Sequence, residues 1–328
     1  MMKSAWSTPN VANLSEPKIA VLLCTYNGAL YLRDQINSLA QQTHSNFVLW
    51  VSDDGSNDQT IEMLEHAQQT WGPDRLVILN GPRQGFARNF LHLACHTDIA
   101  ADYYAFCDQD DIWSPQKLHR AIKHLSQMKQ NQACLYAGAT RLIDDRGTDV
   151  GKSPHQKGKL DFSNALVQNF ASGNTMVFNQ SLKHYLKQAG AELNIVSHDW
   201  WLYIVTTAVG GKVVFDHEAQ VYYRQHKDNL IGANAKIFER LKRIKAMSSG
   251  RLLNWIQINC QCLQRIQTSM TPANQQLWHT VKEMRYLPRL RRLPSILNIK
   301  LQRRSRLESE LLKTALLLAR RPPDSLAD

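Results

Sequence analysis

Several common signatures are missing from this chain. Its six cysteines, Cys24, Cys95, Cys107, Cys134, Cys260 and Cys262, are scattered, with no C-x-x-C pair and no Cys/His spacing suited to zinc. They read as reduced thiols of a cytoplasmic protein rather than as a disulfide framework. Residues 1–17 carry Ser, Asn and Pro where a secretion signal needs an apolar core, and read as a loose lead-in. The longest apolar run, Trp200 to Val209, is bounded by Asp199 and Gly210-Gly211. It is about half the roughly 20 residues that a membrane-crossing helix requires. No early glycine-rich loop followed by Arg and Lys is present to hold a triphosphate, and no internal repeat or low-complexity tract is visible.

What the 328 residues do contain is 43% hydrophobic side chains, enough for a large globular core. The net charge of +11 is unevenly placed. Residues 233–328 hold 19 Lys+Arg against 6 Asp+Glu, while residues 1–232 hold 20 against 22. The basic excess therefore belongs to the C-terminal third.

From Lys18 onward the pattern alternates between strand and helix. Ile19 to Leu23 is a short apolar run of the kind buried on both faces of a parallel sheet, and Tyr31 to Gln41 has Leu32, Ile36 and Leu39 at helical spacing. Phe47 to Val51 predicts a second strand ending in Ser52-Asp53-Asp54-Gly55-Ser56, with Asp58 placed to cap a helix over Gln59 to Gln69. Arg75 to Leu79 and Tyr103 to Cys107 predict further strands, with a helix over Phe86 to Ala94 between them and another over Lys117 to Met128. Such alternation implies an α/β doubly wound sheet that binds ligands at the carboxyl ends of its strands. Strands over Cys134 to Thr140, Thr175 to Phe178, Lys212 to Phe215 and Ala219 to Arg224, and a helix over His198 to Val209, complete residues 18–232. After Gly232 the chain turns to basic amphipathic helix, with Ile237, Leu241 and Ile244 on one stripe, and a boundary is expected there.

The strand ending at Cys107 delivers Asp108, Asp110 and Asp111 into one turn, which is costly unless a cation compensates. Carboxylate oxygens suit Mg²⁺ or Mn²⁺, which bind through one or two carboxylates and complete their shell with phosphate and water. Taken alone, the cluster reads equally well as a solvated turn capping the next helix. Thr25-Tyr26-Asn27 and Asp53-Asp54-Gly55-Ser56 also fall at predicted strand ends, so three polar clusters should meet in one crevice.

In order and spacing these motifs resemble family 2 glycosyltransferases of the GT-A fold. The resemblance rests on Cys24-Thr-Tyr-Asn27, Val51-Ser-Asp-Asp-Gly-Ser-Asn-Asp58, Gly85-Phe-Ala-Arg-Asn89 and Asp108-Gln-Asp-Asp111 followed by Pro115 and Leu118. It implies a nucleoside-diphosphate sugar donor held by Thr25, Tyr26, Asn27, Asp53, Asp54, Arg88, Asp108, Gln109 and Arg224. Tyr26 would border the base, Asp54 would accept from it, and Arg88 would bind the diphosphate. A divalent metal would sit on Asp110, with Asp108 and His226. Asp199, after Ser172-Gly173-Asn174, would be the base of an inverting reaction, with Trp200 and Trp201 facing the acceptor sugar. Read without the resemblance, Tyr26 is a half-buried aromatic, Asp53 and Asp54 are turn residues, and Asp199 merely opens a helix. The His198-Asp-Trp-Trp201 and Tyr223-Arg-Gln-His226 elements are similar to a rhamnosyltransferase-like branch that builds cell-surface polysaccharide, with a saccharide or lipid-linked oligosaccharide as acceptor.

The basic C-terminal region admits two readings. It could lie on the anionic cytoplasmic face of a membrane, gaining about 1 kcal/mol per basic residue, or pack as a helical lid. A nucleic-acid-binding protein would explain the basic region but not the acidic strand ends. A nucleotidyltransferase would also use nucleotide, metal and carboxylates, but lacks its triphosphate loop here.

Overall fold

The computed structural model describes residues 6–129, 131–226 and 250–319. The boundary expected near Gly232, the Ile237–Leu241–Ile244 stripe and the Arg320-Arg321-Pro322 terminus lie outside the described residues.

Strand β1, Ile19–Thr25, is buried along its whole length and pairs in parallel with β2, Phe47–Asp53, and β4, Tyr103–Cys107. Its alternate residues serve opposite faces, as the two-residue period of a strand requires. Ile19, Val21 and Leu23 face α1 (Leu32–Ala40), α2 (Thr60–Trp71) and α4 (Lys117–Leu125). Ala20, Leu22 and Cys24 face α3 (Phe86–Cys95), α6 (Gln180–Ala189) and α7 (His198–Ala208). The continuous apolar run is thus explained by helices on both sides of the sheet.

Strand β3, Leu76–Asn80, adds a parallel edge beyond β2. The other half of the sheet is mixed. Strand β8, Val177–Asn179, runs antiparallel to both β4 and β6, Cys134–Ile143, while β9, Lys212–Arg224, runs parallel to β6. The short β5, Ile112–Trp113, is antiparallel to β9, and β7, Asp149–Lys152, to β6. The full order is β3-β2-β1-β4-β8-β6-β9-β5. Two strands expected over 212–215 and 219–224 are one, because β9 follows β6 through a register shift between Gly138 and Thr140 instead of breaking. A four-residue helix, α5 (Phe162–Ala165), stands before β8.

Beyond the gap come α8 (Arg251–Cys262), α9 (Pro272–Met284), α10 (Arg289–Asn298) and α11 (Arg306–Leu318). Their buried Leu252, Ile256, Trp278, Ile296 and Leu312 belong to the same core as Leu22 and Phe106 of the sheet. These helices therefore extend one core rather than build a second. All six cysteines are free thiols. Among the described residues no helix is long and apolar enough to cross a membrane.

Candidate active site

Strand register brings the polar clusters level. Thr25 is opposite Asp53, and Leu23 is opposite Cys107, so Asp108 leaves β4 at the height where β1 and β2 end. Antiparallel β8 then brings the turn that precedes it, Gly173–Thr175, back to the same end, with the Phe106 N–H donating to Met176 O at 3.1 Å. Pairing of β5 with β9 delivers the segment after Tyr222 there too.

Most of the residues expected at the nucleoside are engaged with one another. Thr25 Oγ1 donates to Asp53 Oδ2 at 2.7 Å, and Asp53 Oδ1 accepts the N–H groups of Gly55 and Ser56 at 3.0 and 2.7 Å. Ser56 Oγ also donates to Asp53 Oδ2, so this carboxylate is saturated by its own turn. Asn27, at φ 48°, receives the Asn57 N–H on its side-chain oxygen and donates its own N–H to Ser56. Gln109 closes on the Tyr26 backbone twice, accepting its N–H at 2.8 Å and donating to its carbonyl at 3.0 Å. A Cβ on Gly28 would displace the Gln109 amide from this position. Thr25, Asn27, Asp53 and Gln109 therefore brace one another where the strands end. Tyr26 is left projecting, its ring 57% exposed.

Asp54 reaches the neighbouring loop, where its two oxygens accept the N–H groups of Arg83 at 2.6 Å and Gly85 at 2.8 Å. Gly85 holds φ 86°, which favours glycine, and turns the chain into α3. Arg88, in the first turn of α3, pairs with exposed Glu192. Asn89 is buried and tied to Ser52, donating to its carbonyl at 2.9 Å.

The acidic turn divides its labour. Asp111 is fully buried, accepting from Asn174 Nδ2 and from the Arg224 N–H at 3.1 Å. Burial, then Asp110 and Asp108, push its carboxyl well above the usual range. Asp110 Oδ2 lies 2.7 Å from His226 Nε2, whose ring is 5.1 Å from that of Tyr31. Asp108 is pushed up to about 8 by burial and by the nearby charges of Asp110 and Asp199. Lys117, beneath the turn, is pulled down to about 7 by burial; its ammonium lies 3.2 Å from the centre of the Trp113 ring.

Asp199 opens α7 and is held by Asn169 Nδ2 at 2.8 Å on one oxygen and the Trp200 N–H at 2.7 Å on the other. The Gly173–Asn174 step links it to the acidic turn, since Asn174 donates to Asp111 and Gly173 lies against the ring of His198, the residue before Asp199. His198 beside it is buried among aromatic rings, stacked on Phe90 with centroids 3.8 Å apart, and its imidazole is pushed down to about 4 by that burial. Among the described residues neither of its ring nitrogens has a hydrogen-bond partner. It fits only because Gly173 has no side chain where the ring lies.

Two expectations are corrected by burial. Trp200 and Trp201 are core residues, 4% and 0% exposed, and Trp200 Nε1 donates to Ala165 O at 2.7 Å, so neither offers a sugar platform. Arg224 is 2% exposed. Its guanidinium donates to Asp110 O at 2.9 Å, Asp145 O at 3.1 Å and Asp34 Oδ2 at 3.0 Å, and lies over Tyr31. It laces the acidic turn to α1.

The donor set suits a hard divalent ion. Asp108 and Asp110 offer oxygen and His226 offers nitrogen, and the Asp108 carboxyl is raised first by burial and then by the charges of Asp110 and Asp199, which a cation would offset. Among the described residues no three His, Cys, Asp or Glu side chains form a complete metal site. An ion here would need further oxygens of the kind a diphosphate provides.

A sequence model described as glycosyl transferase family 2 matches residues 20–186. The chain belongs to this family. Among family 2 relatives, the dTDP-rhamnosyl transferase RfbG of Shigella flexneri is 26% identical over 230 residues, 68% of this chain and 78% of that protein. An uncharacterized glycosyltransferase of Nostoc sp. is 28% identical over 221 residues, 65% and 66% of the two chains. The crystal structure of S. aureus TarS 1–349 in complex with UDP-GlcNAc superposes with a TM-score of 0.54 at 16% identity, covering 91% of this chain and 90% of that one. GalNAc-T7 with UDP, GalNAc and Mn²⁺ gives 0.52 at 11% identity, over 83% and 52%. The fold is GT-A.

The family 2 match takes in the strand-end residues and the acidic turn but ends before Asp199, Arg224 and His226. Asn169, His198, Lys117, Asp34 and Tyr31 escaped sequence reasoning. All but Lys117, whose ammonium lies over nearby Trp113, act by a contact across the fold that leaves no local pattern.

Proposed function

We propose that this chain is an inverting hexosyltransferase that moves a sugar from a pyrimidine nucleoside-diphosphate donor to a saccharide or lipid-linked acceptor of a cell-surface polysaccharide. The observation that supports the reading is that Asn174 donates to Asp111 while its neighbour Gly173 abuts His198, which brings Asp199, at the head of α7, beside the acidic turn from an unrelated part of the chain. The similarity to a dTDP-rhamnosyl transferase favours dTDP-rhamnose as donor. Family 2 membership favours glycosyl transfer over the nucleotidyltransferase and nucleic-acid readings.

Tyr26 offers its exposed ring to the base, and Asp54 supplies an acceptor for the imide N–H that uracil and thymine share. Arg88 exchanges exposed Glu192 for the diphosphate, where a guanidinium binds two phosphate oxygens at once. Asp110, Asp108 and His226 would hold Mg²⁺ or Mn²⁺, which when bound neutralises charge on the departing nucleoside diphosphate. Asp199 takes the proton from the acceptor hydroxyl as that oxygen attacks the anomeric carbon, while Asn169 keeps the carboxylate oriented.

The test is product release from the full chain given dTDP-rhamnose, UDP-sugars or GDP-mannose with Mn²⁺. dTDP-rhamnose is expected to turn over best. Asp199→Asn should bind dTDP as the parent does and lose about 10²–10⁴ in transfer rate, the usual contribution of a general base. Full turnover by that variant would remove Asp199 from the mechanism.

A further inference from the structure

Helix α10 is amphipathic in the wrong direction for a helix that faces only water. Its inner side carries buried Ile296 and Arg292, the latter 1% exposed and bonded to the carbonyls of Arg285, Leu287, Leu316 and Ala319. At about 100° per residue, Leu290, Leu293 and Leu297 share one arc with Pro294 at its edge, on the side opposite Arg292 and Ser295. That arc faces out. Leu290 is 87% exposed, Leu297 72% and Leu293 44%. Exposed Arg289 and Arg291 flank it on either side.

The surrounding charge has a single sign. From Met284 to Leu307 there are eight basic residues and no acidic one. Arg285 and Arg292 are buried and Arg303 pairs with Glu308, but Arg289 and Arg291 are exposed. A folded surface that joins an outward leucine stripe to exposed arginines matches the boundary of an anionic bilayer, where leucines enter the acyl edge and guanidinium groups meet phosphate headgroups. A protein partner would need an acidic groove of the same length. A nucleic acid would use the arginines but leave the leucines in water. With ten residues, α10 is about 15 Å long and can lie on a bilayer but not cross it.

We infer that the Leu290–Leu293–Leu297 face of α10, with Arg289 and Arg291, is a docking surface for anionic lipid membranes. The inference is independent of the sugar-transfer reading, since lipid binding is measured without donor or acceptor. It also joins the two sequence readings of the C-terminal region: the helices are packed on the enzyme and one of them presents a lipid-facing side.

The full chain is mixed with phosphatidylcholine vesicles with and without phosphatidylglycerol, and binding is read by flotation. Expected is binding to the anionic vesicles only, weakened by salt. Arg289→Gln with Arg291→Gln should lower the partition about 30-fold, and Leu290→Ser with Leu293→Ser and Leu297→Ser about 100-fold or more. These positions are exposed, so melting temperature and dTDP binding should stay at parent values. As a second measurement that removes nothing, Leu293→Trp should show a blue-shifted emission component with anionic vesicles, absent with neutral ones. Equal partition of parent and triple-leucine variant overturns the inference, as does equal binding to neutral and anionic vesicles. So does self-association through the stripe, or duplex DNA binding, without vesicle binding.

Discussion

Replacing Arg224 by Met separates a lacing residue from a phosphate ligand. The substitution keeps the stem and the backbone N–H that serves Asp111, and removes the guanidinium. Two carbonyls, Asp110 O and Asp145 O, lose a charged donor, at about 1.5–3 kcal/mol each. The pair with Asp34 counts for at most about 1 kcal/mol, because that carboxylate is 53% exposed. The contact over Tyr31 adds about 1 kcal/mol. Relief from burying a guanidinium offsets part of the gross 5–8 kcal/mol, leaving a net loss of about 3–4 kcal/mol. For a chain of this size that lowers the melting temperature by about 6–8 °C. The assay is thermal unfolding without any ligand, followed by far-UV circular dichroism. Arg224→Lys should lose most of the same stability, since one ammonium cannot reach three acceptors in a fork. A ligand-free melt within about 2 °C of the parent, with donor-induced stabilisation abolished, would refute the lacing role and make Arg224 a phosphate ligand.

Two further outcomes follow from the crevice. Mn²⁺ should raise the melting temperature of the parent in the presence of dTDP, and Asp110→Ala should abolish that increment; equal dTDP binding by the parent with and without metal would sink the metal assignment. His198, pushed down to about 4 from an ordinary 6.5, stays neutral in the fold while the unfolded chain takes up a proton below pH 6.5. Stability is therefore lost as pH falls from 6.5 to 4, by about 3 kcal/mol, and is unaffected by this group above 6.5. Urea unfolding across that window should show a shallower acid loss for His198→Phe; parallel curves for parent and variant would refute the assignment.

How much of this was legible depended on whether a residue's role is local. The apolar runs at 19–23 and 103–107 announce strands because helices cover both faces and no polar position interrupts them. Asp58, expected to cap the second helix, sits one residue before its N-cap Gln59, which makes no side-chain cap, and accepts the Thr60 N–H at 3.0 Å from there. The carboxylates at the strand ends were visible as clusters, and strand register alone brings them level. Sequence could not distinguish a ligand from a brace. Asp53 and Asp54 are adjacent and identical in type, yet one closes its own turn and the other reaches across to Arg83 and Gly85. Trp200 and Trp201 advertise a ring surface, but helical geometry and the C-terminal helices behind them put both inside, with Trp255 edge-on to Trp200 at 6.3 Å. The single β9 was read as two strands because polar Asp216, His217 and Glu218 interrupt its apolar pattern.

The helix that carries Asp199 is clasped between the sheet and the helices that follow residue 250, through one continuous core. Heredity and folding thus draw different borders on this polypeptide: the family signature stops at residue 186, whereas the mechanical unit runs to at least Leu316. A chimaera spliced at the edge of the signature would part α7 and its backing helices from α3, α5 and β6, against which α7 packs. Exchange of specificity between relatives is better attempted at the rim, where Tyr26 projects and Arg88 meets Glu192, leaving the clasp whole.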